Sequence, residues 1–140
     1  MKRFEFLEHT ADAKFRAYGK SFEDAFANAA FAMASLMYDP EMVAALDIEA
    51  FTVEGKDMEQ LLYNFLEELL VLQDSKQFVL HSFVKSITIS KVDSKFKLKA
   101  EVIGDKIKDE YEVRPVVKAV TYNEMKISEK PLYVQVVVDI

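Results

Sequence analysis

Two stretches of the chain repeat their apolar residues at helical spacing, and most of what surrounds them repeats at strand spacing. Phe22, Ala25, Phe26, Ala29, Ala30, Met33, Leu36 and Met37 recur every three or four positions, which gathers them into one stripe of a helix. Met58, Leu61, Leu62, Phe65, Leu66, Leu69 and Leu72 do the same. Each stripe carries a start signal: Ser21 with Asp24 three residues on, and Asp57 with Gln60. A helix with one apolar face must bury it, and the alanines of the first stripe allow close approach to a sheet. The Met and Phe residues of both stripes read as ordinary core packing.

The remaining pattern has period two. Phe96, Leu98, Ala100 and Val102 alternate with Lys95, Lys97, Lys99 and Glu101, the signature of a strand with one packed face and one wet face. Asp93-Ser94 joins that strand to Phe83–Val92 as an antiparallel hairpin. Further strands are predicted near Arg3–Leu7, Ala13–Tyr18, Ile48–Val53 and Val116–Thr121, and from Leu132 to the C-terminus. The charged run from Gly104 to Glu112 reads as a solvated loop with at most a short edge strand, and His81 reads as a surface residue. This order predicts an α+β fold, with two helices packed on one face of a mostly antiparallel mixed sheet. At 140 residues, 51% hydrophobic, with 3 Gly and 3 Pro, the chain suits one domain over residues 1–140, without linker or repeat.

Charge and composition exclude several classes. A formal net charge of −6 disfavours a surface built as a whole to hold a phosphate backbone, while leaving room for a local basic patch. The absence of cysteine removes disulfides, thiolate chemistry and cysteine-ligated zinc, and two histidines make a His-rich metal site unlikely to assemble. Charges within Met1–Glu8 break any secretory core, and Ala25–Met37 falls short of the ~20 apolar residues a membrane span needs. The expectation is a soluble, cytoplasmic protein.

One constellation carries chemistry. Asp12 closes a short polar segment near the start of the chain, and Asp139 is the penultimate residue of a strand ending at Ile140. Parity sets Asp139 on the wetter face with Tyr133 and Gln135, opposite Leu132, Val134, Val136, Val138 and Ile140. If the chain ends meet, the two side chains and the terminal carboxylate share one small volume. Their repulsion then raises their pKa values or draws in a divalent cation. Ligation by oxygen alone favours calcium or magnesium over zinc.

His9-Thr10-Ala11-Asp12, then Ala17-Tyr18-Gly19-Lys20-Ser21-Phe22-Glu23-Asp24-Ala25-Phe26, Val117-Lys118-Ala119-Val120-Thr121-Tyr122 and finally Val137-Val138-Asp139-Ile140 resemble the archease family, in order and over the whole chain. The resemblance implies a protein that is not itself an enzyme but activates the RtcB-type tRNA-splicing ligase. It would promote the ligase's metal-dependent guanylylation, allow multiple turnover and broaden nucleotide use, meeting tRNA only indirectly and no membrane. Carried over, the family's metal ligands fall on Asp12, Asp139 and the main-chain oxygen of Ile140, with calcium the first expectation and magnesium or manganese the alternatives. His9, Lys118 and Asp39 are the candidates for supporting the ligands or touching the partner, each set against a plainer reading. For His9 that is a turn-capping histidine, for Lys118 an outward strand lysine, and for Asp39 a helix-stop and turn residue. Two rival functions stand beside this one: an RNA-binding or RNA-modification chaperone, and a small acid/base hydrolase using Asp12 and Asp139.

Overall fold

The computed structural model describes residues 2–8 and 12–140. Seven strands and two helices follow one another as β1 (Phe4–Leu7), β2 (Ala13–Tyr18), α1 (Phe22–Ser35), β3 (Asp47–Gly55), α2 (Met58–Lys76), β4 (Phe78–Val92), β5 (Lys95–Lys106), β6 (Ala119–Glu129) and β7 (Leu132–Asp139). Single 3-10 turns occupy Pro40–Met42 and Asp109–Tyr111. The α+β class is the one expected, and its strands divide between two antiparallel sheets ordered β1-β2-β7-β6 and β3-β5-β4.

Both helices start where their caps predict. Ser21 Oγ accepts the Asp24 N–H at 3.1 Å, and Asp57 Oδ1 accepts the Gln60 N–H at 2.8 Å, each satisfying a donor that the first turn leaves orphaned. Gln60 reaches back to the Lys56 N–H at 2.8 Å. At its far end α2 stops on Gln77, whose left-handed backbone (φ 56°) turns the chain into β4.

Each helix touches both sheets. α1 lies on β1, β2 and β7 and also on β4; α2 lies on β3, β4 and β5 and also on β6. The helices therefore stitch the sheets into one core around Phe15, Phe26, Phe65, Leu66, Leu98 and Val136. Phe65 is the hinge of this packing, with its ring 6.0 Å from both Phe26 and Phe51. Full burial of such a side chain contributes about 1.5–3 kcal/mol. Among the described residues no helix is long and apolar enough to cross a membrane.

Three local expectations are corrected. Gly104–Lys106 continues β5 instead of opening a loop, and Asp105 is buried because the Tyr111 hydroxyl (2.6 Å), the Lys108 ammonium (2.9 Å) and the Lys106 N–H (2.8 Å) all meet its carboxylate. A charged residue goes inside when its hydrogen bonds are replaced. His81 is half-buried, with Nδ1 2.8 Å from the Val43 carbonyl. Gln135, placed on the wet face by parity, is fully buried, because β6 bulges between Thr121 and Lys126 and folds the Glu124 carbonyl onto its amide at 2.7 Å.

Candidate functional site

The site is built from strand register. β2 pairs with β7 so that Ala13 faces Val138 and Lys14 faces Val137. Continuing that register by one residue sets Asp12 opposite Asp139, and directly opposed antiparallel residues have Cα atoms about 4.5–5.5 Å apart. On its other side β7 pairs with β6, where Ala119 faces Asp139, so the next residue, Lys118, faces Ile140. The Lys118 N–H donates to the Asp139 carbonyl at 2.7 Å and ties down the last turn of the ladder. The chain therefore ends between two neighbours inside its sheet, with Asp139 and Ile140 both exposed.

Behind this acidic end the same face of the sheet carries a polar ladder. Lys14, two residues after Asp12, pairs with Glu124 of the β6 bulge at 3.1 Å. Arg16 Nε donates to Gln135 Oε1 at 2.9 Å, and its guanidinium lies 4.5 Å over the Tyr133 ring. Tyr18 donates its hydroxyl to Glu5, and that hydrogen bond holds the Glu5 carboxyl below its ordinary range, while burial first and Glu5 second raise the Tyr18 phenol. These contacts fix the floor beside the chain end, so Asp12 and Asp139 project from a braced surface.

Among the described residues no three His, Cys, Asp or Glu side chains gather as a metal-holding group. A cation at the chain end would rest on two Asp carboxylates and the oxygens of Ile140, an all-oxygen set with room for water. That donor chemistry fits calcium or magnesium and does not fit zinc.

The other candidates fall in different places. Lys118 directly precedes β6 and its N–H reaches the Asp139 carbonyl, so the structure brings it to the chain end. Asp39 serves a local role: its carboxylate accepts the Glu41 N–H at 3.0 Å and caps the Pro40–Met42 turn. It also lines a groove of about 970 Å³ together with Met42, Tyr111 and Arg114. The Arg114 N–H donates to the Met37 carbonyl at 2.9 Å, which joins that groove to the segment leading to Lys118. His9 lies outside the described residues. The β6 bulge was missed from sequence, although its signal was there: the core-facing apolar residues change parity between Val120 and Met125, a sign of an odd number of extra residues, three in the observed register.

Comparison with known proteins bears on the same chain. Residues 4–140 match the family model described as the archease protein family (MTH1598/TM1083). The protein archease of Pyrococcus abyssi is 43% identical over 132 residues, covering 94% of this chain and 92% of the relative. That of Sulfurisphaera tokodaii is 40% identical over 134 residues, covering 95% and 94%. The solution structure of Methanobacterium thermoautotrophicum protein 1598 superposes with a TM-score of 0.83 at 35% identity, covering 100% of both chains.

Proposed function

Because the chain belongs to the archease family, we propose that it is a non-catalytic activator of an RtcB-type tRNA-splicing ligase, working through a divalent-cation site formed by Asp12, Asp139 and Ile140. One observation supports the site above the others: β7 lies between β2 and β6 with Val138 paired to Ala13 and Asp139 paired to Ala119, so one further step of the β2 ladder would set Asp12 beside Asp139. A cation bound there would supply positive charge and open coordination positions where negative charge is redistributed during nucleotidyl transfer.

The protein's own residues do the positioning. Asp12 and Asp139 attract the ion, and the exposure of Asp139 leaves it accessible to a partner's active-site mouth. The backbone hydrogen bond from Lys118 to Asp139 holds the penultimate residue in place beside β6. An acid/base hydrolase has less support, since the described residues beside the two acids contain no nucleophile paired with a base.

The direct experiment is guanylylation of a purified RtcB-type ligase with and without stoichiometric protein. Faster label uptake with the native chain, lost on chelation and restored by calcium or magnesium, is the expected result. No change in rate with the native chain defeats the proposal.

A further inference from the structure

The outer face of the second sheet has a charge pattern opposite to the chain as a whole. Lys95, Lys97 and Lys99 alternate along β5 and so point to one side. Their Cα atoms follow one another about 6.8 Å apart along the strand. The other side of β5 presents Leu98, Ala100 and Val102, all buried beneath α2. Lysines are often placed on edge strands to block unwanted pairing. Lys97 and Lys99 instead stand where the central strand is paired on both sides, and only Lys95, at the hairpin end, is paired on one side, so edge protection does not explain the row.

Their neighbours are short. Thr52 and Thr88 flank Lys99, Ser90 and Glu54 flank Lys97, and Val92 faces Lys95. The lysines stand beside an open trough of about 440 Å³ whose lining includes Phe51, Thr52, Ser86, Thr88, Lys99 and Glu101. Glu101 is already engaged by Lys85 at 3.7 Å, whereas none of the three lysines closes an ion pair among the described residues. Four lysines against two glutamates give this face a positive balance on a chain whose net charge is −6.

We propose that this face binds single-stranded RNA through its phosphate backbone. A straight row of like charges matches a ligand that carries one negative charge at every link along a line. The hydroxyls of Thr52, Thr88 and Ser90 stand beside Lys97 and Lys99, where they can donate to phosphate oxygens. Among the described residues, the three lysines and their cross-strand partners include no aromatic side chain to stack a base, so recognition is sequence-independent and salt-sensitive. The inference stands apart from the cation site, which lies on the other sheet.

The test is fluorescence anisotropy of a labelled single-stranded oligouridylate against the native chain and the triple variant Lys95→Ala, Lys97→Ala, Lys99→Ala. Three phosphate contacts to a single strand predict a slope of about −2 in log affinity against log salt, or roughly 20-fold weaker binding between about 50 and 200 mM salt. The triple variant should lose that slope and retain its circular dichroism, since the three side chains make no contact in the core. Asp12→Ala should bind RNA as the native chain does, whereas the triple variant should still stimulate guanylylation in an RNA-free assay. Failure of ligase stimulation alone therefore leaves this proposal standing. Equal RNA affinity in native and triple-variant protein overturns it, and so does absence of binding at about 50 mM salt. Displacement of the RNA by polyglutamate at equal charge concentration also overturns it, by assigning the face to acidic protein segments.

Discussion

The backbone N–H of Lys118 meets the carbonyl of Asp139 at 2.7 Å, one residue before the chain ends. This hydrogen bond extends the β6–β7 ladder past its last regular pair, Ala119 with Asp139. A chain end would otherwise fray, since terminal residues lack neighbours to hold them. Here the penultimate residue is held from the β6 side, and the Asp139 carboxylate and the Ile140 terminus inherit a defined position.

Replacing Asp139 by Asn removes a ligand charge from an exposed position. Divalent-cation affinity, read by calorimetry, and ligase stimulation should fall together. Thermal stability without metal should stay within about 0.5 kcal/mol, as for most surface substitutions. Normal stimulation by a variant that has lost its cation would separate the ion from the mechanism.

Adding Gly-Ser-Gly after Ile140 moves the free carboxylate away and crowds the exposed chain end. Ile140 is 43% exposed, so the extension meets solvent and the fold should survive, as judged by circular dichroism. Ligase stimulation should drop, and an N-terminal tag of equal length should do less harm. Equal stimulation by tailed and untailed protein would move the working surface elsewhere.

Gly104→Ala tests the close approach of β5 to β4. A Cβ at this position would lie 1.9 Å from the Val79 carbonyl oxygen and 2.7 Å from the Phe78 ring. The nearest obstacle is backbone, which cannot rotate away, so the loss should reach the upper end of the ~1–3 kcal/mol usual for overpacking. A urea midpoint unchanged from that of the native chain would contradict the packing described.

Acid should weaken the knot at the end of β5. The Tyr111 hydroxyl first, then Lys108, hold the Asp105 carboxyl below its ordinary value of 3.8. A depressed folded pKa means that this contribution to stability is complete above the unfolded value and disappears as pH falls through the folded one. Tyr111→Phe removes the largest cause, so its stability should depend less steeply on pH below about 4 than that of the native chain. At neutral pH the same variant should lose about 1–3 kcal/mol, because a buried carboxylate loses a donor. Urea denaturation at several pH values measures both effects.

The errors in reading the sequence share a cause. Asp105 and Gln135 looked solvated because charge and polarity ordinarily go with exposure. Each is buried by a partner that is close in space and unremarkable in sequence: Tyr111 six positions away for Asp105, and Arg16 at a separation of 119 for Gln135. The strand Val116–Thr121 was displaced for a related reason. Val116–Lys118 lies outside any strand and β6 begins at Ala119, while the run continues to Glu129 through a bulge that breaks the alternation.

By itself the sequence determined the elements: two capped amphipathic helices, the β4–β5 hairpin with its lysine face, and the polar side of β2. Those properties are local, because 3.6-residue and two-residue periodicities and cap side chains act within a few positions of the chain. The tertiary structure alone decided that the strands split into two sheets and that β7 enters between β2 and β6. Period two says which face a residue occupies, but it does not say which strand lies beside it. That choice is made by burial of Phe15, Val134, Val136 and Val138 against α1, and the same choice brings Asp12 and Asp139 to one end of the sheet.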